Sequence, residues 1–255
     1  MAFTIVQLTD PHIGASWSED PLAALAAAVA AVGATLPSGP DAVIVSGDIA
    51  STPDDAEYEQ ARAVLDVLDA PLYVLPGNHD DRGRLRRRFA IPEGNGAGLS
   101  YVAELGPVRL VAVDTQRPGQ AGGQLDAARL DWLDRVLDAD RGAPTLLAMH
   151  HPPLLTGIPA MDAIGIPEDE RRALAEIVSR RRQVQLIAAG HVHRAIIGEL
   201  SGTPVLAIPS TDVQLALDFE AEELRFVREP PCFAVHALVE GRLVSHIQPV
   251  ATAPR

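Results

Sequence analysis

Five short segments constrain this chain more than anything else in it: Asp10-Pro11-His12, Gly47-Asp48, Gly77-Asn78-His79-Asp80, His150-His151 and Gly190-His191-Val192-His193, which hold six of its eight histidines. Each follows an apolar, mostly β-branched run, so each falls where a strand ends and a loop opens. Open α/β sheets gather their ligands at that place, outside the carboxyl ends of the strands. The loops carry imidazole and oxygen donors with no thiolate. Such donors suit hard or borderline ions such as Mn, Fe or Zn, and the set is large enough for two of them, the composition of a dinuclear hydrolytic centre.

Runs at 3–8, 42–45, 72–75, 108–113, 145–149 and 184–188 read as buried strands. Helical spacing separates most of them. Asp20-Pro21 offers an N-cap and a first-turn proline to an alanine-rich helix, and 54–68, 126–137 and 168–178 repeat apolar residues at helical intervals. From about Ala195 the pattern changes to short strands at 195–200, 204–208, 233–239 and 243–247, from which a second, partly antiparallel sheet is expected to close. The class is α/β, with two packed sheets flanked by helices in one domain over 1–255. Two stretches break the regularity. Residues 150–168 are rich in proline and glycine directly after a candidate ligand, where a long irregular loop is usually functional. Residues 212–231 are acidic and read either as an excursion over the site or as an edge hairpin.

Charge narrows the partners. The formal charge is −13, and all 21 basic residues are arginine, so lysine chemistry, Schiff bases included, is excluded. An acidic surface disfavours nucleic acid, whose binding normally needs a basic stripe. A small anionic substrate remains compatible, because a metal pair supplies local positive charge. Cys232 is the single cysteine and has no internal partner for a disulfide, and the chain enters its first strand without a leader-like segment. The alanine-rich run at 22–36 is too short to span a bilayer, so a cytoplasmic protein without a membrane partner is expected.

The order Asp-x-His, Gly-Asp, Gly-Asn-His-Asp, His, Gly-His-x-His resembles the calcineurin-like metallophosphoesterase superfamily over residues 10–193, and its spacing is similar to the bacterial class III cyclic nucleotide phosphodiesterase and glycerophosphodiesterase branch. The resemblance implies a four-layer α-β-β-α sandwich of two mixed sheets flanked by helices. It implies two divalent or mixed-valence ions (Mn, Fe or Zn), one held by Asp10, His12 and His193, the other by Asn78, His150 and His191, with Asp48 bridging. A carboxylate and a hydroxide shared by two ions about 3.5–4 Å apart offset their repulsion. The surplus of about one positive charge then matches a phosphodiester. His79 is the expected catalytic group, stabilising phosphoryl oxygens or protonating the leaving alkoxide while the bridging hydroxide attacks, with Asp80 holding its imidazole in the right tautomer.

Other polar residues have plainer readings. His151 is expected to be a supporting or structural histidine, Asp114 a loop cap, and Asp81 and Arg82 fixtures of their loop. Arg194 divides evenly between solvent and the site rim. The runs 84–88 and 180–182 read as solvated helix faces, and His236 and His246 as structural.

The expected function is hydrolysis of small phosphodiesters, with 3′,5′-cyclic nucleotides such as cAMP leading and a glycerophosphodiesterase or a broad-specificity enzyme as the alternative. An interaction scaffold that keeps metals without turnover is the reading from another class. The resemblance favours a homodimer or higher homo-oligomer. Leu154, Leu155, Ile158, Met161 and Ile164, after His150, are expected to line a wall for the organic part of the substrate.

Overall fold

The computed structural model describes residues 2–94 and 98–251. The elements in chain order are β1 (Phe3–Leu8), α1 (Pro21–Thr35), β2 (Ala42–Val45), α2 (Asp55–Leu65), β3 (Leu72–Val74), α3 (Arg82–Arg88), β4 (Tyr101–Glu104), β5 (Arg109–Val113), α4 (Ala127–Ala139), β6 (Thr145–Met149), α5 (Pro159–Asp162), α6 (Glu168–Ser179), β7 (Val184–Ala189), β8 (Ile196–Leu200), β9 (Thr203–Ala207), β10 (Gln214–Leu215), β11 (Phe226–Val227), β12 (Cys232–Val239) and β13 (Arg242–Pro249). The expected cap at Asp20 begins α1, and α4 begins on a cap of the same kind. Asp20 accepts from the Ala23 amide at 2.9 Å with Pro21 behind it, and Asp126 accepts from the Arg129 amide at 3.0 Å.

One sheet runs β13-β12-β1-β2-β3 and the other β4-β5-β6-β7-β9-β8. The strands β1, β2 and β3 are mutually parallel, as are β5, β6, β7 and β9, while β4, β8, β12 and β13 pair antiparallel. Successive side chains of a strand point to opposite faces, so a fully apolar strand feeds two cores. Val43 and Val45 face α1 and α2, whereas Ile44 faces the other sheet; Val111 and Val113 face α4 and α6, whereas Leu110 and Ala112 face inward. The result is the four-layer α-β-β-α sandwich, with an inter-sheet core containing Ile5, Ile44, Leu110, Leu146, Leu186 and Ala234.

The late strands correct one expectation. They do not build the second sheet by themselves: β8 and β9 extend the sheet already begun by β4–β7, and β12 crosses back to pair with β1, with β13 beyond it at the edge. Periodicity reports that a strand is buried but carries no information about its neighbour. Arg181 is a second correction, since it is buried against Asp134 and Asp138 of α4 instead of lying on a solvated face. His236 is buried between Gln7 and Ser245, and burial pushes its imidazole down to about 4, in keeping with a structural role. Among the described residues no helix is long and apolar enough to cross a membrane.

Candidate metal centre

The loops that leave β1, β2, β3, β6 and β7 meet at the carboxyl ends of parallel strands, three from one sheet and two from the other. Hydrogen bonds between loops continue the strand pairing past its end: the Asp10 amide donates to the Gly47 carbonyl at 3.1 Å and the His12 amide to the Asp48 carbonyl at 3.0 Å. The turns are tight enough that Asp10, His12, Asp48, His191 and His193 all have φ between 45° and 68°. Side-chain-bearing residues seldom adopt that left-handed region, and strain of this kind clusters at functional sites. Two glycines allow the close approach. Gly47 has φ 104°, and a Cβ on Gly77 would stand 2.1 Å from the Asp48 carboxylate.

The side chains so placed converge. Ligating atoms of Asp10, His12 and His193 lie within 4.8 Å of one another, as do those of Asp10, Asp48 and His150. His12 Nε2 is 3.1 Å from His193 Nε2. His150 Nε2 is 3.2 Å from Asn78 Oδ1 and 3.3 Å from Asp48 Oδ2, and the same Asp48 oxygen is 3.6 Å from His12 Nε2. The His191 ring stands 5.1 Å from the His150 ring. Backbone carbonyls orient two imidazoles: His150 Nδ1 donates to Ser46 O and His193 Nδ1 to Val213 O, both at 2.8 Å, which turns their Nε2 atoms inward.

The electrostatics suit a cation. Burial would raise the Asp48 carboxyl, but the charge and hydrogen bond of His150, with His12 and His79, hold it well below the carboxylate range. Burial likewise opposes the ionised form of Asp10, and His193 overcomes it. Burial pushes His12 down to about 3, and burial with His151 and His150 beside it pushes His191 well down, so both are neutral donors. His191 Nε2 is buried with no hydrogen-bond partner. A buried imidazole nitrogen without a partner, among carboxylates and an amide oxygen, is what a divalent ion would complete, and the donor set fits such ions.

The remaining residues sort themselves by contact. His79 Nδ1 meets Ser51 O at 3.1 Å, the His79 amide donates to Asp48 at 2.8 Å, and the side chain lines a cavity of about 250 Å³ over the site. Asp80 corrects the sequence reading. Its carboxylate does not touch His79; it accepts from the amides of Ile49, Ala50 and Gly77 and from the Tyr58 hydroxyl, because the turn after Asn78 sends it beneath the loops. Burial, with Asp48 nearby, raises it to about 7. His151 has both nitrogens engaged, by Thr115 at 2.8 Å and Ala121 O at 3.0 Å, and its ring packs 4.3 Å from that of His191. Asp114 and Arg82 act as the loop cap and loop fixture expected of them, Asp114 tying Arg82 to the Leu99 and Gln116 amides; the share of Gln116, which donates to Gly77 O at 2.9 Å, was not read from the sequence. Arg194 binds Leu215 O and Glu229, holding the β10–β11 hairpin.

Of the expected wall, Met161 and Ile164 line the cavity. Ile158 is buried beneath it, Leu154 packs on the core, and Leu155 is 63% exposed. The other apolar lining comes from Ala121, Val192, Trp17, Leu215, Leu224 and Phe226, of which the last four have no counterpart in the wall expected from the sequence. The 212–231 stretch, which supplies Leu215, Leu224 and Phe226, is the excursion over the site and not an edge hairpin, because its two strands β10 and β11 pair with each other and with neither large sheet; Trp17 carried no signal in the sequence.

A two-sheet sandwich with this convergence of histidine, aspartate and asparagine defines a metal-dependent phosphoesterase. The family model described as calcineurin-like phosphoesterase matches residues 3–195, and the chain belongs to that family. It is 36% identical over 213 residues to a probable glycerophosphodiester phosphodiesterase of Arcobacter nitrofigilis, covering 81% of this chain and 77% of that one. It is 34% identical over 230 residues to a probable cyclic nucleotide phosphodiesterase of a Synechococcus strain, covering 88% and 85%. Among solved structures, a purple acid phosphatase from yellow lupin matches 98% of this chain and 52% of its own, with a TM-score of 0.71 and 13% identity, which shows the shared fold.

Proposed function

We propose that the chain hydrolyses small phosphodiesters with two divalent or mixed-valence ions, and that 3′,5′-cyclic nucleotides are its leading substrates. Asp10, His12 and His193 would hold one ion, Asn78, His150 and His191 the other, and Asp48 both. The single observation that carries this is Asp48, whose Oδ2 lies within 3.6 Å of an imidazole nitrogen from each set. Bound there, divalent ions supply Lewis-acid polarisation of the phosphoryl group and activation of water.

The chain's own groups do the rest. Ser51 O anchors His79 Nδ1, which leaves Nε2 for the cavity, where a proton on it can bind a phosphoryl oxygen or pass to the departing alkoxide. The Asp48 carboxylate accepts from the His79 backbone amide, so the loop after β2 that carries a proposed ligand is tied to the loop after β3 that carries the proposed acid.

Glycerophosphodiesters are the second reading, favoured by the identity to the Arcobacter protein. The non-catalytic scaffold has less support, since donors occupy every expected ligand position and His79 lines the cavity. The deciding experiment is a panel of cAMP, cGMP, 2′,3′-cyclic nucleotides, glycerophosphodiesters and monoesters, run on metal-depleted protein reloaded with Mn, Fe or Zn. Metal-dependent turnover with the highest kcat/KM on a 3′,5′-cyclic nucleotide is expected. Turnover confined to glycerophosphodiesters selects the second reading, and none on any ester selects the scaffold.

A further inference from the structure

We propose that Trp17 and Phe226 form a seat for a flat aromatic group of the substrate, the purine of a nucleotide, and thereby set its specificity; the proposal rests on the phosphodiesterase reading. The two rings come from distant segments, the loop after β1 and the strand β11, yet lie nearly parallel, 11° apart with centroids at 6.0 Å. They stand directly against histidines of the site: Trp17 is 5.5 Å from the His12 ring and 5.9 Å from that of His79, and Phe226 is 5.4 Å from His193. A group resting on them is therefore one sugar's reach from a phosphate at the centre.

Folding alone does not account for the pair. Trp17 is 41% and Phe226 37% exposed at the cavity mouth, although apolar area left in water is unfavourable. The two segments are nevertheless held together by an Arg228–Glu19 ion pair at 2.7 Å, and the hairpin is tied to the loop after β7 by the hydrogen bond from the Leu215 amide to His193 O at 3.3 Å. The hairpin that presents Phe226 follows the carbonyl of Val213, which orients His193, so seat and ligand are positioned together.

The chemistry of the wall selects the occupant. Beside the rings stand Leu224, Met161 and Ile164, and Asp48 is the sole carboxylate or arginine among the described residues lining the cavity. A glycerol group would find no hydrogen-bonding partner on that wall and would lose its water. A quaternary ammonium is recognised by rings set around it, whereas these two are offset and almost parallel. A base offers a π face to such a surface and stacks on it.

The test compares the holoenzyme with its Trp17→Ala, Trp17→Phe and Phe226→Ala variants on cAMP, glycerophosphoethanolamine and glycerophosphocholine. Trp17→Ala is expected to raise KM for cAMP about tenfold with a much smaller effect on kcat, the size of a lost base–aromatic stack. It should move KM for the two glycerophosphodiesters far less, and Trp17→Phe should recover most of the loss. Equal penalties on all three substrates, or none on cAMP, overturn the seat. A second readout is independent of turnover. Trp132 is buried, so a Trp132→Phe variant leaves Trp17 as the sole tryptophan reporter. Quenching of its emission by adenosine 5′-monophosphate but not by glycerol 3-phosphate supports the seat even if the wild-type protein hydrolyses no diester, the outcome that removes the phosphodiesterase reading instead. No quenching, or equal quenching by both, overturns it.

Discussion

The loops that end β1, β2, β3, β6 and β7 and the hairpin β10–β11 face the same cavity and differ in almost every physical respect. The loops are buried, rich in hydrogen bonds, and hold five candidate ligands in the left-handed backbone region. The hairpin is short, carries its large side chains partly in water, and is anchored through Arg194, Arg228 and the two β10–β11 residue pairs. A floor that must hold charges at fixed separations needs rigid, strained turns supported from beneath. A rim that meets only the organic part of a substrate needs shape and apolar area. The contrast predicts that changes in the floor abolish chemistry or folding, while changes in the rim redistribute it among substrates.

The strongest test of that contrast is Asp48→Asn. Because the carboxylate faces both donor sets and its charge would offset the repulsion between the two proposed ions, both metals should be lost together and turnover should fall below detection. Elemental analysis after gel filtration, read beside activity, checks this, and an active variant with two ions per chain would take Asp48 out of the shared position. His79→Ala comes next. It should keep most of its metal and lose about 10²–10⁴ in turnover. Diesters with acidic phenol leaving groups should suffer less than alkyl diesters if the imidazole delivers a proton, and equally if it stabilises the phosphoryl oxygens.

Asp80→Ala probes the support under the floor. Three backbone amides and the Tyr58 hydroxyl would lose their acceptor, at a cost of roughly 3 kcal/mol. In a chain of this size that lowers Tm by about 6–12 °C. A variant of normal Tm whose loss lay in kcat alone would return Asp80 to the catalytic role expected from its place beside His79. The smallest effects belong to the rim. Met161→Ser should shift KM ratios between diesters several-fold with little change in metal content, whereas Leu155→Ser, on an exposed side chain, should alter stability by less than about 0.5 kcal/mol and relative rates not at all. If Leu155→Ser redistributed rates as much as Met161→Ser, the rim would extend beyond the cavity seen here.

The ligand segments were legible because each is local: a β-branched strand, a tight turn and a donor, written within a few residues. The glycines of Gly47-Asp48 and Gly77-Asn78 mark places where backbone and side chain crowd, so the motif encodes packing as well as chemistry. Asp80 shows the limit of that reading. Adjacency to His79 suggested a hydrogen bond, but a turn sends neighbouring side chains to opposite sides, and direction is a property of the folded backbone.

By itself the sequence determined the α/β class, the buried strands and the inventory of donors, since periodicity, caps and turn residues act over a few positions. Which donors stand within reach of one another, and which rings stack, was decided only by tertiary structure. His12 and His193 are 181 residues apart in the chain, and Trp17 meets Phe226 only because β12 returns to β1 and carries the hairpin with it. Local pattern records how much of a residue is buried; it carries no term for what lies on the other side of the contact.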